Sequence, residues 1–247
     1  MKRRFVLSAL PATLIALTGA TKARKAPPPP PPLGDNVQVE MITEMGTIVL
    51  ELDHKHAPLT VENFMRYVDS GRYNGMTFYR AMHLNWGTEP NGVLQGGLNQ
   101  FPARLMKPVA HEPTNVTGLT HKAGTLSMAR LAPGTANADF SILLSDLTSF
   151  DANPASPDPD ARAGYAAFGH VVSGMDVVRK IYDAPRSPTK GEGFMKGQML
   201  EPPIKVLKVR RVPLPPLGEV AARSADGGGI RREHAPSDPP APAHLPQ

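Results

Sequence analysis

The chain has 247 residues, enough for one or two domains, and no cysteine, which excludes a disulfide framework and any thiol nucleophile. Its net charge of +5 points toward nucleic acid only until the charges are located. Six basic and no acidic residues fall within 1–25, so the remainder carries one net negative charge and lacks the basic footprint of a DNA or RNA binder.

In chain order, Lys2-Arg3-Arg4 forms a charged start and residues 5–20 an apolar run ending in Thr18-Gly19-Ala20. Residues 1–20 read as a signal peptide cleaved near Ala20, because sixteen apolar residues interrupted by Pro11 are short for a membrane span. The expectation is an exported, periplasmic protein with no stable membrane association beyond that segment; an uncleaved anchor is the alternative. Export also implies chemistry that runs without ATP. Residues 21–36 are a linker whose Pro27–Pro32 run suits a stiff polyproline II spacer. Residues 213–247, rich in Pro, Gly and Ala without periodicity, read as a disordered tail. More than half of the 28 prolines lie outside 33–212, which leaves one folded domain, 37–212, with a real core.

Within that domain, residues 37–42 alternate as a half-buried strand, and 47–52 make a second across a tight turn at Glu44-Met45-Gly46. Val61, Phe64, Met65 and Val68 form one apolar helical face, with Thr60 placed to cap its start and Gly71 its end. Strands are expected at 77–82, 92–97, 124–130, 139–145, 166–172 and 202–212. A second amphipathic helix precedes the last strand, with Met175, Val178, Ile181 and Tyr182 inward. This order predicts a mainly β fold, a closed antiparallel β-barrel of about eight strands capped by two α-helices.

No phosphate-binding loop, dinucleotide fingerprint or Gly-x-Ser-x-Gly elbow is present. His54-x-His56 sits beside Asp53 and Lys55 and reads as a solvated polar turn, and the other histidines lack zinc spacing. Neither a metal nor a cofactor is expected. What remains is Phe78-Tyr79-Arg80, Val93-Leu94-Gln95-Gly96-Gly97, Gly124-Thr125-Leu126-Ser127-Met128-Ala129, Pro133-Gly134-Thr135 ahead of Phe140, and Phe168-Gly169 before a helix. Each motif alone is weak. In this order, over about residues 37–212, they resemble the cyclophilins, the barrel-fold peptidyl-prolyl isomerases.

The resemblance implies an isomerase acting on X–Pro bonds of proline-containing polypeptides, with Arg80 as catalyst. The chemistry is consistent with that. Rotation about the bond costs about 18–20 kcal/mol because it breaks amide resonance, and no covalent bond is made. A fixed guanidinium aimed at the prolyl nitrogen stabilises only the twisted amide, whose nitrogen has become a better acceptor. Gln95 falls where the family has a glutamine that helps orient the arginine and substrate backbone; a barrel-strand amide satisfying main-chain groups is the competing reading. Val93 falls on a hydrophobic pocket position, and Phe140 matches an aromatic of the site.

Departures from the family pattern are specific. Gly92 and Ser141 stand where pocket phenylalanines are usual, Asp139 replaces a common glutamine, and Arg130 a usual asparagine. Phe150 takes a pocket leucine position and Tyr165 that of a histidine. Asp139 either anchors Arg80 or competes with substrate for it. Trp86, in a lengthened loop, is expected to rebuild part of the proline-pocket wall, and a second insertion spans 150–165. The altered pocket leaves a second reading open: a cyclophilin-fold peptide-binding or chaperone module with weak or no turnover. Nothing in the sequence argues for oligomerisation, and a monomer is expected.

Overall fold

The computed structural model describes residues 29–212 apart from Glu89 and Gln100. The signal segment, the first half of the linker and the tail expected above lie outside the described residues. Eight strands are formed: β1 (Asn36–Thr43), β2 (Gly46–Asp53), β3 (Thr77–His83), β4 (Gly92–Gly97), β5 (Thr125–Met128), β6 (Phe140–Leu143), β7 (Ala167–Ser173) and β8 (Met199–Arg211). They close into a barrel in the order β1-β2-β7-β5-β6-β4-β3-β8. Every neighbouring pair is antiparallel, β8 returning to β1.

Side-chain alternation drives the closure. Val37, Val39 and Met41 of β1 and Ile48, Leu50 and Leu52 of β2 all point into the core. Their hairpin turns at Glu44–Met45, where the Thr43 hydroxyl donates to the Gly46 carbonyl (2.7 Å) and accepts from Met45 N–H (3.0 Å). Phe64, from the first helix, lies 4.9 Å from Tyr73, 5.3 Å from Phe140 and 5.5 Å from Phe168 between ring centroids. Each such fully buried ring contributes about 1.5–3 kcal/mol by its removal from water.

Four helices accompany the barrel among the described residues: α1 (Pro58–Asp69), α2 (Thr114–Thr117), α3 (Pro159–Ala163) and α4 (Met175–Tyr182). The two long ones are those expected. α1 buries Val61, Phe64, Met65 and Val68, and α4 buries Val178, Ile181 and Tyr182, leaving Met175 only partly covered. Gly71 (φ +68°) follows the C-cap Ser70 as expected. Thr60, however, lies inside α1 rather than at its start, where Ala57 offers no side-chain cap. The cap comes from Glu112, whose carboxylate accepts from Leu59 N–H (3.1 Å), Thr60 N–H (2.6 Å) and the Thr60 hydroxyl (2.6 Å). A carboxylate at a helix N-terminus satisfies orphan donors and meets the positive end of the dipole.

One irregularity in β3 prepares the site. Its register against both β4 and β8 shifts between Phe78 and Arg80. The bulge leaves Phe78 in the core while Tyr79 and Arg80, consecutive in sequence, both face the same groove.

Candidate active site

The groove runs over one face of the barrel and encloses about 870 Å³. Arg80 lies in it, 8% exposed. Its guanidinium is held on three sides: Nε–H donates to Gln198 Oε1 (2.8 Å), Nη1–H to Gln95 Oε1 (2.8 Å), and Nη2–H to Met82 Sδ (3.4 Å). Phe194, itself 74% exposed, lies against the guanidinium with its ring centroid 5.1 Å from Cζ. These bonds use three of the five N–H donors. Burial, opposed by Tyr79 and Tyr165, lowers the guanidinium's pKa from its ordinary value; the group stays cationic at neutral pH.

Beside Arg80 the groove is apolar. Val93 and Phe150 line it and share a small cluster with Leu143 and Leu147. Tyr165 lies 5.0 Å from Phe150 between ring centroids. The 150–165 insertion is pinched shut by Tyr165 N–H donating to the Phe150 carbonyl (2.8 Å), so its two ends deliver both aromatics to the groove. Arg130 locks the neck: it stacks on Tyr165 (4.7 Å), donates through Nη2–H to the Gly164 carbonyl (2.7 Å) and pairs with Asp160 (3.0 Å). His121 secures the other end. It is fully buried, bonded at 2.6 Å to Asp151 and at 2.9 Å to the Ser127 hydroxyl, with its ring edge-on to Phe150 at 5.8 Å.

Arg80, Val93, Gln95, Asp139, Phe150 and Tyr165 thus share one groove, as the residue pattern required. Two expected site residues do not join them. Phe140 is fully buried in the barrel core, because alternation along its strand turns Asp139 and Ser141 to the groove and Phe140 and Ile142 inward. Trp86 is 58% exposed and is not among the groove-lining residues. Its loop is held through the main chain, the Asn91 side chain donating to the Trp86 carbonyl, which leaves the indole in solvent. Gly92 is explained as well: with φ +143°, a Cβ there would lie 1.9 Å from the Met82 carbonyl oxygen and 2.9 Å from the Tyr182 hydroxyl oxygen. No side chain fits on this path.

Asp139 accepts from Asn99 N–H (3.0 Å). Burial, reinforced by Asp139, raises the Tyr79 pKa well above the ordinary tyrosine value, so the hydroxyl keeps its proton. Sequence reasoning missed Tyr79, Gln198 and Phe194. Gln198 lies 118 residues from Arg80 along the chain, and no local pattern announces such an amide. For Tyr79 the missing signal is the bulge.

A family profile described as cyclophilin type peptidyl-prolyl cis-trans isomerase matches residues 38–210. The chain belongs to this family. Among cyclophilin relatives, a peptidyl-prolyl cis-trans isomerase of Acinetobacter baylyi is 36% identical over 179 residues, 71% of this chain and 85% of the relative. Peptidyl-prolyl cis-trans isomerase B of Escherichia coli is 36% identical over 142 residues, 56% of this chain and 80% of the relative. The barrel is also similar to the crystal structure of a cyclophilin-type isomerase of Cryptosporidium parvum, with a TM-score of 0.53 at 20% identity, covering 73% of this chain and 99% of that one.

Proposed function

We propose that the groove catalyses cis–trans rotation of X–Pro bonds in exported polypeptides, with Arg80 as the electrostatic catalyst. The observation that carries this is the clamped guanidinium beside an apolar wall of Val93, Phe150 and Tyr165. The wall holds the prolyl ring; the remaining Nη hydrogens meet the prolyl nitrogen when the amide twists. Because the donor is fixed before the reaction, no reorganisation accompanies the rise in nitrogen basicity, and the twisted state is favoured over either planar one. The rate of a prolyl peptide measured without coupled proteolysis tests this. Arg80→Ala is expected to lower kcat/KM about 10²–10³-fold, the scale for loss of one preorganised donor; an unchanged rate refutes the mechanism.

The serine at 141, where a pocket phenylalanine is usual, favours a second reading, capture without turnover. NMR exchange separates the two: a bound proline peptide whose cis and trans signals do not exchange assigns the groove to binding alone. The basic start and apolar run of residues 2–20 support export to the periplasm with cleavage near Ala20. N-terminal sequencing of the protein from a periplasmic fraction tests that. The protein acts as a monomer in this reading, which sedimentation at micromolar concentration checks.

A further inference from the structure

A side-chain amide holds an arginine only when its oxygen faces the guanidinium, so whatever fixes the amide's orientation decides the contact. The two glutamines at Arg80 differ in this. Gln95 offers Oε1 to Nη1 at 2.8 Å while its Nε2 donates to the Tyr79 hydroxyl at 2.8 Å, a group able to donate as well as accept. Gln198 offers Oε1 to Nε at 2.8 Å while its Nε2 donates to the Phe194 main-chain carbonyl at 2.7 Å. A carbonyl only accepts. One orientation of the Gln198 amide therefore satisfies both neighbours, and the other satisfies neither.

The main chain of Gln198 is fixed as well. Its N–H donates to the Met195 carbonyl (3.1 Å), and its carbonyl accepts from the N–H of Ala81 (2.9 Å), the residue after Arg80 on β3. The turn that carries it is closed by Gly197 N–H donating to the Lys190 carbonyl (3.0 Å) and Met195 N–H to that of Glu192 (3.0 Å). At Gly191 (φ +95°) a Cβ would lie 2.3 Å from the Met195 carbonyl oxygen, so the turn packs without room for a side chain there. The Phe194 carbonyl is held in this frame, and its ring covers Arg80 at 5.1 Å. The guanidinium is planar and rigid, and acceptors on two of its nitrogens, Nε and Nη1, stop it turning about the Cδ–Nε bond.

We infer that Gln198 is a positioning residue for the isomerase reaction: its amide, set by the Phe194 carbonyl, fixes the Nε edge of Arg80 and leaves Nη hydrogens for the prolyl nitrogen. This rests on Arg80 being the catalyst.

Gln198→Met keeps the length of the side chain and removes both polar contacts. In the full-length protein it is expected to lower kcat at least tenfold with KM within about twofold. The Arg80 Nε–H resonance shifts and exchanges faster with solvent, while the main-chain amide spectrum of the barrel strands stays as in wild type. Gln198→Ala, which leaves the main-chain bonds of the turn intact, gives the same pattern and guards against misfit of the methionine. Phe194→Leu, which removes the ring but keeps the carbonyl, loses less than threefold in kcat. In an Arg80→Ala background neither Gln198 variant lowers the remaining rate further, because the glutamine acts only through the arginine. Wild-type kcat in both Gln198 variants, a change confined to KM, or an equal loss in both backgrounds overturns the positioning role. A loss in Phe194→Leu as large as in Gln198→Met also overturns it, since the effect then belongs to the ring and not to the carbonyl. Arg80→Ala separates the failures: if it is slowed while the Gln198 variants are fully active, only the positioning role falls. If Arg80→Ala is itself fully active, the catalytic reading falls and the positioning role with it.

Discussion

Individual residues of this site do work that their neighbours define. Arg80 is one of 27 basic residues in the chain, and what distinguishes it is the set of acceptors around it: Gln198, Gln95 and Met82. Its presence on a groove strand was readable from the motif, but its aim was not, since Gln198 and Phe194 reach it from a distant segment. Trp86 is the opposite case. As the only tryptophan, in a lengthened loop near the arginine, it invited a role in the pocket, yet an indole 58% exposed contributes little to a desolvated wall. Trp86→Ala is therefore expected to leave proline-peptide affinity within about twofold of wild type by calorimetric titration; a tenfold loss, about 1.4 kcal/mol, would return it to the site.

Whole elements were legible wherever one face is apolar. Both long helices and all eight strands follow from periodicity, because burial of one face is what each element contributes to the core. Their ends were less legible. The start of α1 depends on Glu112, more than fifty residues downstream, which supplies three hydrogen bonds where Thr60 was expected to supply one. Glu112→Ala is expected to cost about 2–3 kcal/mol, as loss of charge-assisted bonds to buried donors does, measured by urea unfolding. Amide exchange should quicken first at Leu59 and Thr60. Thr60→Ala, which removes only the hydroxyl, should cost less. The 150–165 insertion shows the same limit: the residue pattern placed Phe150 and Tyr165 at pocket positions, but the closed neck and the Arg130 clamp that support them were not legible.

Over the whole molecule, one buried titratable group gives stability a defined pH dependence. His121 joins β5, through Ser127, to Asp151 beside the insertion neck. Burial lowers its pKa, the larger cause, while the Asp151 hydrogen bond and charge oppose the shift. In the unfolded chain the imidazole titrates near its ordinary value of about 6.5. Below that pH the unfolded state binds a proton that the folded state refuses, so stability falls on acidification. The melting temperature should decline from pH 7.5 toward 5, and His121→Gln should flatten that decline; an equal slope in the variant removes His121 as its source.

By itself the sequence determined the barrel, its strand order along the chain, the two long helices, the family and six of the residues that line the groove. These rest on local periodicity and short motifs, which neighbouring residues encode. Only the tertiary structure decided that Phe140 serves the core, that Trp86 faces solvent, that Gly92 has no room for a side chain, and that Gln198 and Tyr79 hold the arginine and its glutamine. Phe140 turns inward by the alternation of its strand and Trp86 outward because its loop is held through the main chain, whereas Gly92 and the arginine's partners depend on a bulge or on contacts between segments far apart in the chain, which leave no periodic trace in the sequence.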